Sequence, residues 1–247
     1  MRLSENWKDY ELIDASDGER LERWGNIILI RPDPQIIWST EKKNPLWYSA
    51  HARYHRSNKG GGSWEQYKKI PAQWSINYGS LTFNIKPMGF KHTGVFPEQA
   101  VNWDFAAEKI KKEGRPLKIL NLFGYTGCAT LACMKAGASV CHVDASKGMV
   151  QWAKENAVSS NIADKPVRWL VDDCAKSEEA TDMTVSLWIR RHTEEVRAVK
   201  FGNLRNSSIR WLNFADRLCQ MTLLSLFLIP TQQVFRLRLW SICSAFC

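Results

Sequence analysis

The stretch that begins at residue 118 constrains the fold more than any other part of the chain, because a short apolar run leads directly into a glycine turn and a helix. Residues 118–123 form the apolar run and are predicted to be a strand. The turn at residues 124–127 reads Gly-Tyr-Thr-Gly, and glycine lets the backbone approach a ligand without a Cβ in the way. Residues 129–136 are good helix formers or small packing residues, and Gly137 is placed to end the helix. The pattern therefore predicts a strand–turn–helix unit.

Two further strands in this region each end at an acidic residue. Residues 139–143 form the first of them and lead into Asp144, about twenty residues after the glycine turn. The strand Val167–Val171 leads into Asp172 and Asp173. In an open parallel sheet the carboxyl ends of the strands meet at one edge, where ligands bind. A carboxylate at the position of Asp144 can accept hydrogen bonds from both hydroxyls of a ribose, so the sequence predicts a nucleoside-binding site.

The glycine turn lacks two features of phosphate-binding loops. It has no third glycine, as a dinucleotide fingerprint would, and no Lys-Ser/Thr pair, as a triphosphate loop would. A Gly-x-x-Gly turn between a strand and a helix can also serve packing alone, which leaves an α/β domain without a cofactor as the alternative. Together with the acids of the neighbouring strands, the pattern favours a cofactor that has ribose and adenine but no phosphate.

Residues 121–127 resemble the first motif of the class I S-adenosylmethionine-dependent methyltransferases, a D/N-x-F-x-G-x-G-like turn that reads Asn-Leu-Phe-Gly-Tyr-Thr-Gly here. The resemblance implies S-adenosyl-L-methionine as the cofactor. It also implies that Asp144 holds the ribose hydroxyls and that Asp173 holds the adenine amino group. In this half of the chain, the cofactor-binding residues that it assigns are Asn121, Phe123, Gly124, Tyr125, Thr126, Gly127, Asp144, Ala145, Ser146, Asp173 and Cys174.

A second motif lies just before a helix predicted at residues 100–112. Residues 89–99 resemble the T-G-x-F-x-x-Q element of relatives of the ribosomal RNA cytosine-C5 methyltransferases. The resemblance implies that this element closes over the methionine end of the cofactor. The alternative is a plain connecting loop with a proline turn. The resemblance extends over roughly residues 5–176. The residues that match the element are Thr93, Gly94, Phe96 and Gln99.

The front of the chain, residues 1–86, has a different character and is predicted to be a small β-rich module. Residues 10–14, 25–32 and 81–85 read as short strands, separated by turn signals and by a glycine-rich loop at 59–63. Aromatic and basic residues are interleaved here, a pattern that can stack bases and hold phosphates. Equally, the aromatic residues could form a small core with a solvated basic rim. The residues concerned are Trp38, Trp47, Tyr48, Tyr54, Trp64, Tyr67 and Trp74, with Arg53, Arg56, Lys59, Lys68 and Lys69.

The composition favours one domain, with or without a small appendage, that binds an anionic partner. The chain has 247 residues and a formal net charge of +9, which favours RNA as the partner. Its seven cysteines include no Cys-x-x-Cys pair, so reduced thiols are expected and no metal site is predicted. A charged N-terminal region and the lack of a long apolar run predict a cytoplasmic chain without a membrane span.

The alternation of strands and helices is not readable after Lys176, so no structure is assigned to residues 177–247. A fold of this class needs a fourth strand that ends in an Asp/Asn-Pro-Pro-type motif, and neither is readable there. We hypothesise that the tail is translated in a shifted frame, because local pattern and global fold should agree and here disagree from a single point onward. The codon of Trp188 is TGG and that of Ile189 begins AT, so the shifted codon between them is GAT, an aspartate, and the next shifted codons can give Pro-Pro. A divergent tail is the alternative.

These observations predict an α/β fold, with a Rossmann-like class I methyltransferase sheet in residues 87–176 that is incomplete after its third strand. The resemblance implies methyl transfer from S-adenosylmethionine to a base of RNA. Cytosine-C5 chemistry needs a cysteine thiolate. Cys128, Cys133 and Cys141 are expected in the core, and Cys174 does not match the family's catalytic cysteine. Catalytic residues are therefore not assigned, and methylation of an exocyclic amino group stays open. The alternatives are a cofactor- or RNA-binding fragment without catalysis and a nicotinamide-dependent oxidoreductase.

Overall fold

The computed structural model describes residue 4, residues 6–57 and residues 61–173, together with four short strands at 185–189, 197–201, 227–228 and 235–236. For those four strands it describes the backbone and its pairing. No helix in the described part of the chain is long and apolar enough to cross a membrane.

The front of the chain folds into a five-stranded sheet with the strand order β1-β2-β3-β4-β5. β1 (Tyr10–Ser16), β2 (Glu19–Trp24) and β3 (Ile27–Pro32) form an antiparallel meander. β4 (Ala52–Arg56) runs parallel to β3, and β5 (Gly62–Gln66) pairs antiparallel with β4. The β-rich character predicted for this region is confirmed. β2, β4 and β5 were not predicted, because their charged and polar residues obscure the alternation by which strands are recognised.

A hairpin of two strands, β6 (Trp74–Tyr78) and β7 (Leu81–Ile85), follows the front sheet. β7 packs against helix α3 (Lys147–Ser159), and the Asn84 N–H donates a hydrogen bond of 2.8 Å to Asn156 Oδ1 in the buried contact between them. The hairpin therefore joins the front of the chain to the helices that follow.

One hydrophobic core runs through both parts of the chain. A single cluster of buried side chains contains Trp24 of the front sheet, Phe83 of the hairpin, and Trp103 and Ile119 from beyond residue 86. The rings of Phe83 and Trp103 meet edge to face with centroids 5.5 Å apart. The domain boundary after residue 86 stays a prediction, but the core is continuous across it.

The second half begins with helix α1 (Ala100–Glu113) and forms a second five-stranded sheet. Strand β8 (Lys118–Leu122) is followed by helix α2 (Cys128–Lys135), strand β9 (Ser139–Asp144), helix α3 and strand β10 (Val167–Val171). β8, β9 and β10 run parallel, and each lies within one residue of its predicted bounds. The prediction of a Rossmann-like sheet is confirmed.

One part of the fold prediction needs correction, because the sheet does not stop after its third strand. β11 (Val185–Ile189) pairs in parallel with β8, and β12 (Arg197–Phe201) pairs antiparallel with β11. A short apolar run without turn signals at its ends is hard to assign by periodicity, which explains why the sequence analysis misses β11. One premise of the shifted-frame hypothesis, the missing fourth strand, is thus not met. The hypothesis now depends on the absence of an Asp-Pro-Pro motif from the sequence after Lys176.

Two other strands complete the description of the chain. β13 (Phe227–Leu228) and β14 (Phe235–Arg236) pair antiparallel in a sheet of their own.

Candidate functional site

The strand order brings the glycine turn and the acidic strand ends to one edge of the parallel sheet. The order is β10-β9-β8-β11-β12, so β9 and β10 lie on one side of β8 and β11 lies on the other. The direction of winding therefore reverses next to β8. In open α/β sheets, ligands bind in the crevice outside the carboxyl ends of the strands at such a point.

The glycine turn has a backbone conformation that few side chains tolerate. Phe123, Tyr125 and Gly127 have φ angles of 54°, 51° and 83°. A side chain in this left-handed region costs roughly 1–2 kcal/mol. The Gly124 N–H donates to Val143 O at 2.9 Å, and the Gly127 N–H donates to Gly124 O at 2.9 Å. Strained residues held in place by their surroundings concentrate at ligand sites, so the turn is a candidate for one.

Both glycines of the turn are also needed for packing. A Cβ on Gly124 would lie 2.3–2.9 Å from the ring of His142, and a Cβ on Gly127 would lie 2.8 Å from the Cβ of Ala153. The glycines thus let the turn rest directly on β9 and α3. Because packing alone explains both glycines, the case for a ligand depends on what surrounds the turn.

Asp144 lies beside the turn and organises it. Its Oδ2 accepts a hydrogen bond from the Tyr125 N–H at 2.8 Å, and its Oδ1 accepts one from the Ser146 N–H at 2.9 Å. Ser146 begins α3, and its hydroxyl accepts from the Met149 N–H at 3.4 Å. Asp144 is half-buried, and a carboxylate offers about four lone-pair sites. The side chain therefore keeps acceptor capacity for a ligand after it has fixed the turn.

The Thr-Gly-x-Phe segment lies against the same turn, as the site prediction requires. The Thr126 hydroxyl donates a hydrogen bond to Gly94 O. The rings of Phe96 and Tyr125 lie with their centroids 5.4 Å apart. Gly94 has a φ of 108°, and a Cβ there would lie 2.5 Å from the ring of Trp152. Two motifs about thirty residues apart in the sequence thus form one surface.

The other matched residues of this segment have distinct surroundings. Thr93 is fully buried, and its hydroxyl has no hydrogen-bond partner among the described residues. Gln99 lies at the start of α1, where its Oε1 accepts from Asn102 Nδ2 at 2.7 Å.

The end of β10 lies next to Asp144. The Asp172 N–H donates to Asp144 O at 3.2 Å, and the Asp173 N–H donates to Asp172 Oδ1 at 2.8 Å. Ala145 and Asp173 are exposed. The acids predicted from two strands therefore meet at one edge of the sheet. Cys174, the last residue of the predicted set, lies outside the described residues.

A chain of buried polar side chains lies beneath the turn. Asn121 Nδ2 donates to Thr130 Oγ1 at 2.7 Å, and Thr130 Oγ1 lies 2.9 Å from His142 Nδ1. Burial lowers the pKa of His142 to about 4, although the charge of Asp144 acts in the opposite direction. His142 is therefore neutral at neutral pH. Asn121 belongs to the predicted site, but Thr130 and His142 were not predicted, since their only signal is a polar residue within an apolar segment.

Helix α3 holds the turn from a second side. Asn156 Nδ2 donates to Thr126 O at 2.8 Å, while its Oδ1 accepts from the Asn84 N–H. Trp152 Nε1 donates to Asn84 O at 2.9 Å. These contacts connect the turn to the hairpin, and the sequence analysis misses both helix residues.

The described cysteines do not offer a nucleophile. Cys128, Cys133 and Cys141 are buried. Burial raises the pKa of the Cys128 and Cys133 thiols to about 12, so both stay protonated at neutral pH, whereas the thiolate is the reactive form. Within the described residues, no three His, Cys, Asp or Glu side chains converge as a metal site would require.

The aromatic residues of the front divide into buried and exposed groups. Trp47 and Tyr54 are buried, whereas Tyr48 is 85% exposed and Trp38 and Tyr67 are each 50% exposed. Trp64 and Trp74 are half-buried and pack against the core, so the core-and-rim alternative describes four of the seven rings. The exposed group leaves three rings available for a partner.

Part of the chain is similar in sequence to bacterial ribosomal RNA methyltransferases. No protein-family model matches the chain. A stretch of 114 residues, 44% of this chain, is 33% identical to the ribosomal RNA large subunit methyltransferase K/L of Shewanella oneidensis. A stretch of 152 residues, 61% of this chain, is 25% identical to the same-named protein of Colwellia psychrerythraea. These stretches span only 15% and 19% of the relatives' own lengths.

A solved structure extends the relationship to the fold. The S-adenosylmethionine-dependent methyltransferase from Agrobacterium tumefaciens superposes with a TM-score of 0.70 and 35% sequence identity. The match covers 74% of this chain and 60% of that protein. The likeness agrees with the parallel sheet, the glycine turn and the acidic strand ends. The chain therefore has the class I S-adenosylmethionine-dependent methyltransferase fold and is related to the ribosomal RNA large-subunit methyltransferases.

Proposed function

We propose that the chain binds S-adenosyl-L-methionine at the carboxyl edge of its parallel sheet and transfers the methyl group to a base of RNA. The observation that carries this proposal is the convergence of three separately predicted elements. The glycine turn, the Asp144 carboxylate and the ring of Phe96 all meet around Tyr125. A packing device would need the glycines alone, whereas this arrangement adds an acid and an aromatic loop at the edge where ligands bind.

The residues at this edge fit an adenosine-containing cofactor. Asp144 has lone pairs left for the ribose hydroxyls, and the exposed Asp173 follows the end of the neighbouring strand β10. The loop that carries Phe96 would cover the methionine part. The strained backbone at Phe123 and Tyr125 turns the chain tightly at the end of β8, so that it can approach the ligand closely.

When bound, S-adenosylmethionine supplies an electrophilic methyl group on its sulfonium. The task of the chain is then to bind both reactants and to align them for in-line transfer. The buried polar side chains of Asn121, Thr130 and His142 serve this by holding the turn in one conformation.

RNA as the acceptor is supported by charge and by relationship. The formal net charge is +9, and Trp38, Tyr48 and Tyr67 expose their rings at the front of the chain. The two bacterial relatives carry the name ribosomal RNA large subunit methyltransferase K/L. The three described cysteines are buried, and burial raises the pKa of the Cys128 and Cys133 thiols, so none of the three is assigned as the nucleophile that carbon-5 chemistry needs, and an exocyclic amino group stays open as the acceptor.

Calorimetry and a transfer assay test the proposal together. S-adenosylhomocysteine should bind and NAD should not. Labelled methyl groups should then pass from S-adenosylmethionine to RNA. Binding of NAD in place of S-adenosylhomocysteine would refute the cofactor assignment. Binding of S-adenosylhomocysteine without transfer would instead favour the binding-module alternative.

A further inference from the structure

The loop at residues 86–97, which carries Phe96 to the glycine turn, is held on its other side by side chains of the front sheet. Trp64 Nε1 donates to the backbone carbonyl of Met88 at 2.9 Å. The Tyr54 hydroxyl donates to the carbonyl of Gly89 at 3.0 Å. Both donors come from the β4–β5 hairpin, which is far from the loop in the sequence.

Arg31 supplies a third donor from the same sheet. Its Nη1 donates to the carbonyl of Lys91 at 2.9 Å. The rest of its guanidinium is paired in bidentate fashion with the carboxylate of Glu22, at 2.5 and 2.8 Å, and lies over the ring of Trp24. Arg31 and Glu22 are both buried. Since a planar guanidinium held at this many points has little freedom, its bond to the loop is well oriented.

Tyr54 and Trp64 are also held in place. Their rings pack edge to face with centroids 5.4 Å apart, and Tyr54 is only 4% exposed. A Cβ on Gly62 would lie 2.7 Å from the Tyr54 ring, and a Cβ on Gly61 would lie 3.3 Å from Gly89 O. The glycines of this hairpin therefore make room for Tyr54 and for the loop. This gives the glycine-rich stretch predicted near residue 60 a packing role.

The far end of the loop is bound to the glycine turn. Gly94 O accepts a hydrogen bond from the Thr126 hydroxyl, and the ring of Phe96 packs against that of Tyr125 at a tilt of 44°. The loop has a closing hydrogen bond of its own, from the Lys86 N–H to Thr93 O at 3.1 Å. It is thus a bridge with one end on the front sheet and the other on the candidate cofactor site.

We infer that Arg31, Tyr54 and Trp64 are positioning residues for the cofactor site, because they fix the loop from the front sheet and so hold Phe96 against Tyr125. These three residues form the tether set. Their role is to reduce the number of conformations of the loop before a ligand arrives. The inference deepens the proposed function and rests on it for the identity of the ligand.

The expected effect on binding depends on the fraction of molecules in which the loop is held in the conformation that binds the cofactor. When only a fraction of molecules holds the loop in place, the apparent Kd rises by the inverse of that fraction. Loss of one neutral hydrogen bond should weaken cofactor binding by roughly 2- to 10-fold. Loss of two should weaken it further.

Two conservative variants, the double variant that combines them, and two matched controls test the inference. Trp64→Phe and Tyr54→Phe each remove one donor to the loop and keep an aromatic ring. Trp47→Phe removes a buried indole N–H that donates to Asp14 Oδ2, and Tyr78→Phe removes a buried hydroxyl that donates to Asp104 Oδ2, so both controls lose a hydrogen bond elsewhere in the front of the chain.

Four measurements would be made on the full chain and on each variant. Amide hydrogen exchange without ligand should speed up at residues 89–96 in the tether variants and stay unchanged in β8. The Kd for S-adenosylhomocysteine should rise in the tether variants and stay within about 2-fold of the parent in the controls. The KM for S-adenosylmethionine should rise more than kcat falls, and Tm should move alike in variants and controls.

The outcomes separate this inference from the proposed function. If the parent chain does not bind S-adenosylhomocysteine, the proposed function fails, and the hydrogen exchange still decides the inference. Unchanged exchange at residues 89–96 in the Tyr54→Phe and Trp64→Phe double variant would overturn it. Equal losses of affinity in tether variants and controls would also overturn it, since that result means general destabilisation.

Discussion

Replacing Asp144 by alanine should weaken S-adenosylhomocysteine binding more than it weakens the fold. The carboxylate accepts backbone hydrogen bonds from Tyr125 at 2.8 Å and Ser146 at 2.9 Å, and it offers its remaining lone pairs to the ribose hydroxyls. A hydrogen bond to a charged group contributes about 1.5–3 kcal/mol. If one such bond to the ligand is lost without replacement, the Kd should rise by about 10- to 150-fold.

The cost to stability should be smaller. Ser146 is an exposed residue, so water can replace the lost acceptor of its N–H, whereas Tyr125 is half-buried and its N–H should lose part of its hydrogen bonding. We expect Asp144→Ala to lower the free energy of unfolding by about 1–2 kcal/mol. Part of the binding loss would then come from a looser turn.

A second variant and a control separate these two effects. Asp144→Asn keeps the shape and one acceptor oxygen, so it should retain more of the turn but still lose the charge. Asp164→Ala removes an exposed carboxylate just before β10, at the opposite edge of the sheet, and should leave the Kd unchanged. Calorimetry gives the Kd, and thermal unfolding gives the stability. A folded Asp144→Ala chain with a Kd within about 2-fold of the parent would refute the assignment of Asp144 to the ribose.

Three further predictions concern acidity, RNA and the tail. The pKa of His142 is about 4 in the folded chain, below its ordinary 6.5, because burial disfavours the charged ring. The free energy of unfolding should therefore be unaffected by this group above pH 6.5 and should fall by about 3 kcal/mol as the pH drops to 4. If the difference in free energy of unfolding between the parent and His142→Gln stays constant from pH 6.5 to pH 4, this prediction is wrong. Affinity for RNA should fall steeply with salt, and joint replacement of Arg53, Arg56 and Lys59 should flatten the slope; an unchanged slope would favour the core-and-rim arrangement. Restoring the frame after Lys176 should sharpen the thermal transition and raise methyl transfer to RNA, whereas cooperative melting and ordinary activity of the present chain would exclude the shifted frame.

Local patterns carried much of the site prediction because its elements are short and contiguous. The apolar run, the glycine turn and the acid at position 144 are each encoded within a few neighbouring residues, so strand, turn and strand end could be assigned one by one. The rule that parallel strands end at one edge then placed Asp144 and Asp173 near the turn. The resemblance to known motifs added Thr93, Gly94, Phe96 and Gln99, and the structure brings Gly94 and Phe96 onto the turn.

Strands with weak local patterns were not predictable in this way. β2 is rich in charged residues, and β11 is a short apolar run without turn signals, so each becomes a strand through its partners in the sheet. Pairing with a neighbouring strand can override a weak local preference, because the hydrogen bonds and the side-chain packing come from residues elsewhere in the chain.

By itself, the sequence determined the class of the fold and the edge of the sheet at which a ligand would bind, since both follow from the order of short elements. Only the tertiary structure decided that His142 lies under Gly124, that Asn156 holds the turn, and that Tyr54 and Trp64 hold the loop. These contacts join residues 18–35 positions apart or come from a different sheet. No periodicity along the chain encodes them, because they depend on which strands are neighbours and which side chains then face each other.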